Sequence, residues 1–175
     1  MATDPELWAK IRAGDAQAFD AFYRQHAARL TAFLRHVVGN RPAAEDVMQE
    51  TFTEIWQRPN GFQPERGTLR GYLYGIGRKR AAEWWRKQHP EGAAPETDSG
   101  DAQAETRSVV ENALQQLPED QRSLLWLREV EGQSYAELSQ ILAVPIGTVR
   151  SRLFAAREAL REVWRGSAVV TKERP

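Results

Sequence analysis

Three sets of side chains in this 175-residue chain have the types and spacing to engage a charged partner. The first is a row of carboxylates, Asp46, Glu50 and Glu54, set four residues apart and flanked by Gln49, Thr53 and Gln57. On a helix that spacing stacks the acids along one face, where they can grip a basic surface. With no histidine beside them they are poorly suited to holding a metal. The second set is the stretch from Arg66 to Lys87, where Arg66, Arg70, Arg78, Lys79, Arg80, Arg86 and Lys87 face a single acid, Glu83, with Tyr72, Tyr74, Trp84 and Trp85 interleaved. Cations beside aromatic faces are what unpaired bases need, at ~1–3 kcal/mol per stacked base. Gly75, Lys79, Ala82 and Arg86 alternate small with basic side chains at helical spacing, which would let a sugar-phosphate backbone come close. The third set is Thr148, Arg150, Ser151, Arg152 and Arg157, near the start of a helix opened by Ile146 and Gly147. Arginines and hydroxyls so placed suit phosphates and base edges in a major groove. Each set also fits a plainer role: a solvated acidic face, an aromatic core, the arginine-rich surface of a helical hairpin.

The elements that must hold these sets are helical. Phe19, Phe22, Tyr23, His26, Leu30, Phe33, Leu34 and Val37 recur at steps of three and four, the period of one buried helix face, and Gly39-Asn40 ends the run. Pro42 opens the next helix, which runs to about Gln57 with Ala44, Val47, Met48, Phe52, Ile55 and Trp56 as its apolar face. A loop follows, and Thr68 can cap a helix from about Leu69 to Lys87. Further on, Val110, Leu114 and Leu117 close one helix, and Pro118-Glu119-Asp120 opens another that stops at Gly132. Ser134 and Glu137 then have capping-box spacing. The turn Ala143-Val144-Pro145 leads into a last helix that carries Val149, Leu153, Leu160 and Val163 inward. From Ser134 to Leu160 the pattern is a helix-turn-helix. No strand pattern occurs, so the expected fold class is all-α.

Charge and composition divide this helical chain. It carries 24 Lys+Arg and 24 Asp+Glu, but residues 1–90 hold 14 and 10, residues 91–108 hold 1 and 5, and residues 109–175 hold 9 and 9. From Arg86 to Ser108 there is no Val, Ile, Leu, Met, Phe, Trp or Tyr, so the segment has nothing to bury. The expected organisation is a helical unit over 1–88, an acidic linker over 89–108, a helix-turn-helix unit over 109–165 and a tail over 166–175. A single continuous domain with a long surface loop is the alternative. With no cysteine and three scattered histidines, disulfides, thiolate zinc sites and cysteine nucleophiles are excluded, and no catalytic, cofactor or metal site is expected. No stretch is apolar enough to span a membrane, and Met1 to Lys10 lacks the layout of a signal peptide, so a cytoplasmic location is expected.

Three stretches together resemble the extracytoplasmic-function (ECF) sigma factors, small two-domain initiation subunits of bacterial RNA polymerase. Ala44 to Phe52 is similar to the family's polymerase-clamp helix, Tyr72 to Lys87 to its promoter-melting helix, and Leu117 to Leu160, with Gly147-Thr148-Val149-Arg150-Ser151-Arg152-Leu153, to its upstream-element reader. The resemblance implies that Asp46, Gln49, Glu50 and Glu54 face the clamp of the polymerase's largest subunit, while the second unit meets the flap. It implies that Phe62, Gln63, Arg66, Arg78, Lys79 and Arg86 contact the minus-ten element, and that Thr148, Arg150, Ser151, Arg152 and Arg157 read the minus-thirty-five element. An anti-sigma protein is the further partner it implies. The sequence departs from the family at Lys79 and Glu83, where Asn and Asp are common, and at Ser139 and Ala143, where Ala and Gly are usual; a positive φ at Ala143 would cost ~1 kcal/mol. Elements some seventeen base pairs apart lie about 58 Å from each other. Twenty-three extended residues reach ~80 Å, so the linker spans that gap only when stretched. Two other functions stay open on sequence grounds, a free-standing helix-turn-helix regulator and a helical adaptor that touches no nucleic acid.

Overall fold

The computed structural model describes residues 3–88, 113, 114 and 116–172, and those residues form helices joined by short turns, with no strand among them. The linker expected over 89–108 lies outside the described residues, as does Val110. Helix α1 (Asp4–Arg12), which no spacing argument singled out, lays Trp8 and Ile11 into the core. Asp15 starts α2 (Ala16–Val38): its Oδ1 accepts from the N–H groups of Gln17 at 2.9 Å and Ala18 at 3.1 Å. Gly39 stops it in the left-handed conformation, φ 76°, which glycine adopts without a steric penalty. Asn40 then caps α3 (Arg41–Gln57) by accepting from Ala43 N–H at 2.9 Å.

After a single 3-10 turn at Pro64–Arg66, α4 (Leu69–Gln88) begins with two side-chain acceptors. Thr68 Oγ1 accepts from Gly71 N–H at 3.0 Å, and Asp4 Oδ2 accepts from Leu69 N–H at 2.7 Å, which ties α1 to the same end. Leu30, Phe33, Leu34, Ile55, Leu69 and Leu73, all essentially inaccessible, knit α2, α3 and α4 into one bundle.

The second unit is shorter. Helix α5 (Glu119–Leu125) runs into a π turn, Trp126–Val130, and two further helices follow, α6 (Tyr135–Leu142) and α7 (Ile146–Lys172). The tail expected from residue 166 therefore starts within α7. Ser134 and Glu137 form the anticipated capping box, with Ser134 Oγ accepting from Glu137 N–H at 3.1 Å and Glu137 Oε2 accepting from Ser134 N–H at 2.8 Å. Between α6 and α7, Ala143 takes the left-handed conformation, φ 53° and ψ 43°. The turn is fastened by Val144 N–H donating to Ser139 C=O and by Ser139 Oγ donating to Val144 C=O at 2.5 Å, which gives the unusual Ser139 a local task. Leu127, Leu138, Val149, Leu153 and Ala156 fill this unit, and its apolar residues continue without a break into those of the first.

Candidate nucleic-acid and polymerase interface

Helix α3 presents Asp46, Gln49 and Glu50 to solvent, while Val47, Met48, Phe52 and Ile55 on the same helix face inward. A groove of about 380 Å³ lined by Ala28, Thr31, Arg35, Glu45, Met48 and Gln49 runs alongside. Glu54, expected in the same row, is placed otherwise. Its side chain is only 10% exposed; Oε1 takes Arg58 at 3.2 Å, and Oε2 takes Arg80 Nε at 2.7 Å and the same guanidinium's NH2 at 2.6 Å. The hydrogen bond to Glu54, only partly offset by burial, raises the pKa of the Arg80 guanidinium. This carboxylate braces α3 against α4 and is not free for a partner. Trp56, read as part of the apolar face, is 39% exposed and leans on Phe19 with ring centroids 4.8 Å apart. One residue beyond Ile55 on the helix, it has turned out of the bundle.

On and before α4, Gln63, Arg66, Lys79 and Arg86 are exposed as expected, and Arg66 donates to Gln63 Oε1 at 3.3 Å. Phe62 is not available: it is 5% exposed and packs edge-on against Trp8 at 5.5 Å and beside Tyr72 at 5.6 Å. The resemblance put Phe62 among the residues that contact DNA, but Trp8 on α1 and Tyr72 on α4 bury it. Trp85 is anchored too, donating to Val37 C=O at 3.3 Å.

The third set lies on α7. Arg150, Ser151 and Arg152 are exposed, and Thr148 is half-buried with its carbonyl accepting from Ser151 Oγ at 3.0 Å. Arg150 stands over the Tyr135 ring at 5.8 Å. Arg157 is held by Glu129, 2.6 Å from its NH2, and this hydrogen bond, only partly offset by burial, raises its pKa. Both restraints pre-order arginines that would otherwise lose side-chain freedom on binding.

Sequence reasoning missed the seam between the units. Arg70 reaches across to Glu137, with NH2 3.0 Å from Oε1 and 3.2 Å from Oε2, and donates through NH1 to Glu131 C=O at 3.3 Å. Thr68 Oγ1 donates to Glu137 Oε1 at 3.0 Å, and Tyr74 OH donates to the buried carboxylate of Glu131 at 2.7 Å. Burial of Glu137 alone would raise its pKa, but the hydrogen bonds from Ser134, Arg70 and Thr68 outweigh that and lower it. Burial, and then the bond to Glu131, pushes the Tyr74 hydroxyl pKa far up. His36 stacks on Trp126 at 4.6 Å and 28°. Gly75, expected to admit a nucleic-acid backbone, instead faces Ile141, whose Cα would lie 3.8 Å from a Cβ there. The second role of Glu137 was hidden by its first, the capping box. Glu131 offered only the signal of a lone acid before a glycine.

Among the described residues no group of three or more His, Asp or Glu is placed to hold a metal ion, and no helix is long and apolar enough to cross a membrane.

Comparison with known proteins matches residues 22–91 to the family "Sigma-70 region 2" and residues 107–160 to "Sigma-70, region 4". The RNA polymerase sigma-H factor of Pseudomonas aeruginosa is 29% identical over 90% of this chain and 91% of that protein. The ECF RNA polymerase sigma-E factor of Haemophilus influenzae is 29% identical over 90% and 93%. In a solved structure, the sigma factor RpoE in complex with the anti-sigma factor NepR from Bartonella quintana, the sigma chain matches with TM-score 0.69 at 25% identity, covering 86% of this chain and 98% of that one.

Proposed function

The chain belongs to the sigma-70 family as an extracytoplasmic-function sigma factor, and we propose that it docks on core RNA polymerase through Asp46, Gln49 and Glu50. Sigma factors of this family bind core polymerase and direct it to promoters by contacting DNA, and this chain does the same. One observation carries the residue assignment: Asp46, Gln49 and Glu50 on α3 point into solvent and, among the described residues, make no side-chain hydrogen bond or ion pair, while the fourth member, Glu54, is already spent on Arg58 and Arg80. An exposed carboxylate pair beside a groove fits a basic helical surface, the clamp of the largest subunit.

Residues 1–88 then form the unit that reads and melts the minus-ten element, through Gln63, Arg66, Arg78, Lys79 and Arg86. Residues 109–165 form the unit that reads the minus-thirty-five element through Thr148, Arg150, Ser151, Arg152 and Arg157, and meets the flap; 89–108 connect them and 166–175 form the tail. Each DNA site is weak alone, since a handful of cations releases few counterions. Docking holds both at promoter spacing and raises the effective concentration of the second contact once the first is made. Opening traps a base outside the stack, whose unstacking costs a few kcal/mol and is offset by contacts around it. The protein acts in the cytoplasm, by binding rather than by covalent chemistry, and an anti-sigma protein is its expected inhibitor.

Reversing charge with Asp46→Lys and Glu50→Lys together tests the docking. The expected result is loss of co-purification with core polymerase and of promoter-directed transcription, with the helical circular dichroism of the wild type intact. Wild-type polymerase binding by the double variant overturns the assignment.

A further inference from the structure

Arg78 on α4 and Arg152 on α7 line one cavity of about 80 Å³, together with Asp120, Gln121 and Leu124 on α5 and Leu142 on α6. Arginines elsewhere have found carboxylates: Arg70 lies 3.0 Å from Glu137, Arg80 2.6 Å from Glu54 and Arg157 2.6 Å from Glu129. These two have not. Among the described residues neither makes an ion pair or a side-chain hydrogen bond, although Asp120 borders the same space. Arg78 Nε is buried with no acceptor, and Gln121 Oε1, on the wall of the same cavity, is buried with no donor. Buried polar atoms nearly always have partners, so a donor and an acceptor left open on one cavity call for a ligand that supplies both.

The chemistry of that ligand follows from the lining. Two guanidiniums present planar N–H forks, the geometry that grips an oxyanion with parallel hydrogen bonds. Two cations and one carboxylate leave the lining one positive charge, which suits an anion. Leu124 and Leu142 supply an apolar wall, beside which such bonds are stronger than in open water. Gln121 Oε1 can only accept, and Asp120 repels an anion that has no proton to offer it. The ligand must therefore donate as well, which chloride, sulfate and an ionised carboxylate do not. Phosphate at neutral pH does, since it keeps at least one O–H beside its bare oxygens. At about 30 Å³ per water the cavity has the room of two or three waters, enough for one phosphoryl group and too little for a nucleoside.

We propose that this cavity is a phosphate site, in which Arg78 and Arg152 grip the bare oxygens and the O–H donates to Gln121 Oε1. The phosphoryl group is free orthophosphate or the end of a nucleotide whose sugar and base stay outside. An occupied site engages two arginines that the sigma-factor reading gives to DNA, but the site itself does not rest on that reading.

The test uses the full chain without polymerase or DNA, so its outcome is separate from that of the sigma-factor reading. Orthophosphate is titrated against chloride at constant ionic strength, with binding followed by calorimetry and by broadening of the phosphorus resonance. One phosphate should bind per chain, and sulfate should bind more weakly by about tenfold or more, for want of the hydrogen bond to Gln121. AMP as a third arm distinguishes the sources: binding as tight as orthophosphate identifies a nucleotide end and weaker binding the free ion, and either result keeps the phosphate site. Arg78→Gln and Arg152→Gln should each weaken phosphate binding about tenfold or more, the factor for one charge-assisted hydrogen bond. Lys87→Gln, which removes an exposed charge from the same helix as Arg78, should leave it unchanged. Arg152 is exposed, so its replacement leaves the fold intact and keeps the test valid where Arg78→Gln fails to fold. Undetectable phosphate binding, sulfate bound as tightly as phosphate, or the same loss in Lys87→Gln as in Arg152→Gln overturns the proposal.

Discussion

Acid should open this protein, and one imidazole sets the size of the effect. His36, on α2, is covered by the second unit through its stack on Trp126, and its pKa falls from the ordinary 6.5 to about 4. Burial is the main cause, Arg122 repels the charged form, and a backbone hydrogen bond with Arg122 pulls the other way. With the units apart the ring returns to water. Below pH 6.5 the open form then takes up a proton that the closed form refuses until about pH 4, so closure weakens as pH falls through that window. At pH 5 the gap is about 1.5 pK units, worth ~2 kcal/mol, or about a thirtyfold rise in the open-to-closed ratio relative to pH 7.5. Glu137 does not offset this, because its lowered pKa keeps it ionised throughout. His26 is also lowered, mainly by burial and then by the charge of Arg70, with Phe22 tilted against it at 4.9 Å within the first unit. The distance between spin labels at Ala21→Cys on α2 and Arg161→Cys on α7, both exposed in a chain without native cysteine, measured from pH 7.5 to 5 checks the prediction, with His36→Phe as the control, since phenylalanine keeps the stack and cannot titrate. A distribution that stays fixed over this range, or a slope that survives in His36→Phe, refutes the reasoning.

Two further outcomes concern stability. Ala143→Gly should stabilise the protein by about 0.5–1 kcal/mol, because glycine adopts the observed φ of 53° without the clash a methyl group suffers; thermal unfolding reads it, and a lowered midpoint would show that the turn is not strained. Glu54→Gln should destabilise by about 1–3 kcal/mol in urea unfolding, since it removes the short carboxylate contact of the partly buried Arg80 and leaves it only the longer pair with Glu83 at 3.4 Å. Loss of polymerase binding at unchanged stability would return Glu54 to the docking face.

Local chemistry was legible in the sequence wherever the deciding atoms are close along the chain. The cap at Thr68, the box at Ser134 and Glu137 and the stop at Gly39 each follow from a few adjacent residues, whereas the positive φ at Ala143 was suggested only by the glycine usual there in the family the chain resembles. So does the buried face of α2, where Phe22, Leu30, Phe33 and Leu34 sit as their spacing requires. What failed depended on distant neighbours. Phe62 is buried by Trp8, more than fifty residues earlier, and Glu54 is claimed by Arg80 on another helix. Periodicity assigns a residue to a stripe and is silent on which element meets the stripe's edge. This is why Trp56, at that edge, was misplaced. Gly75 was read as admitting a nucleic-acid backbone, but spacing alone did not distinguish that from α6, which lies against it.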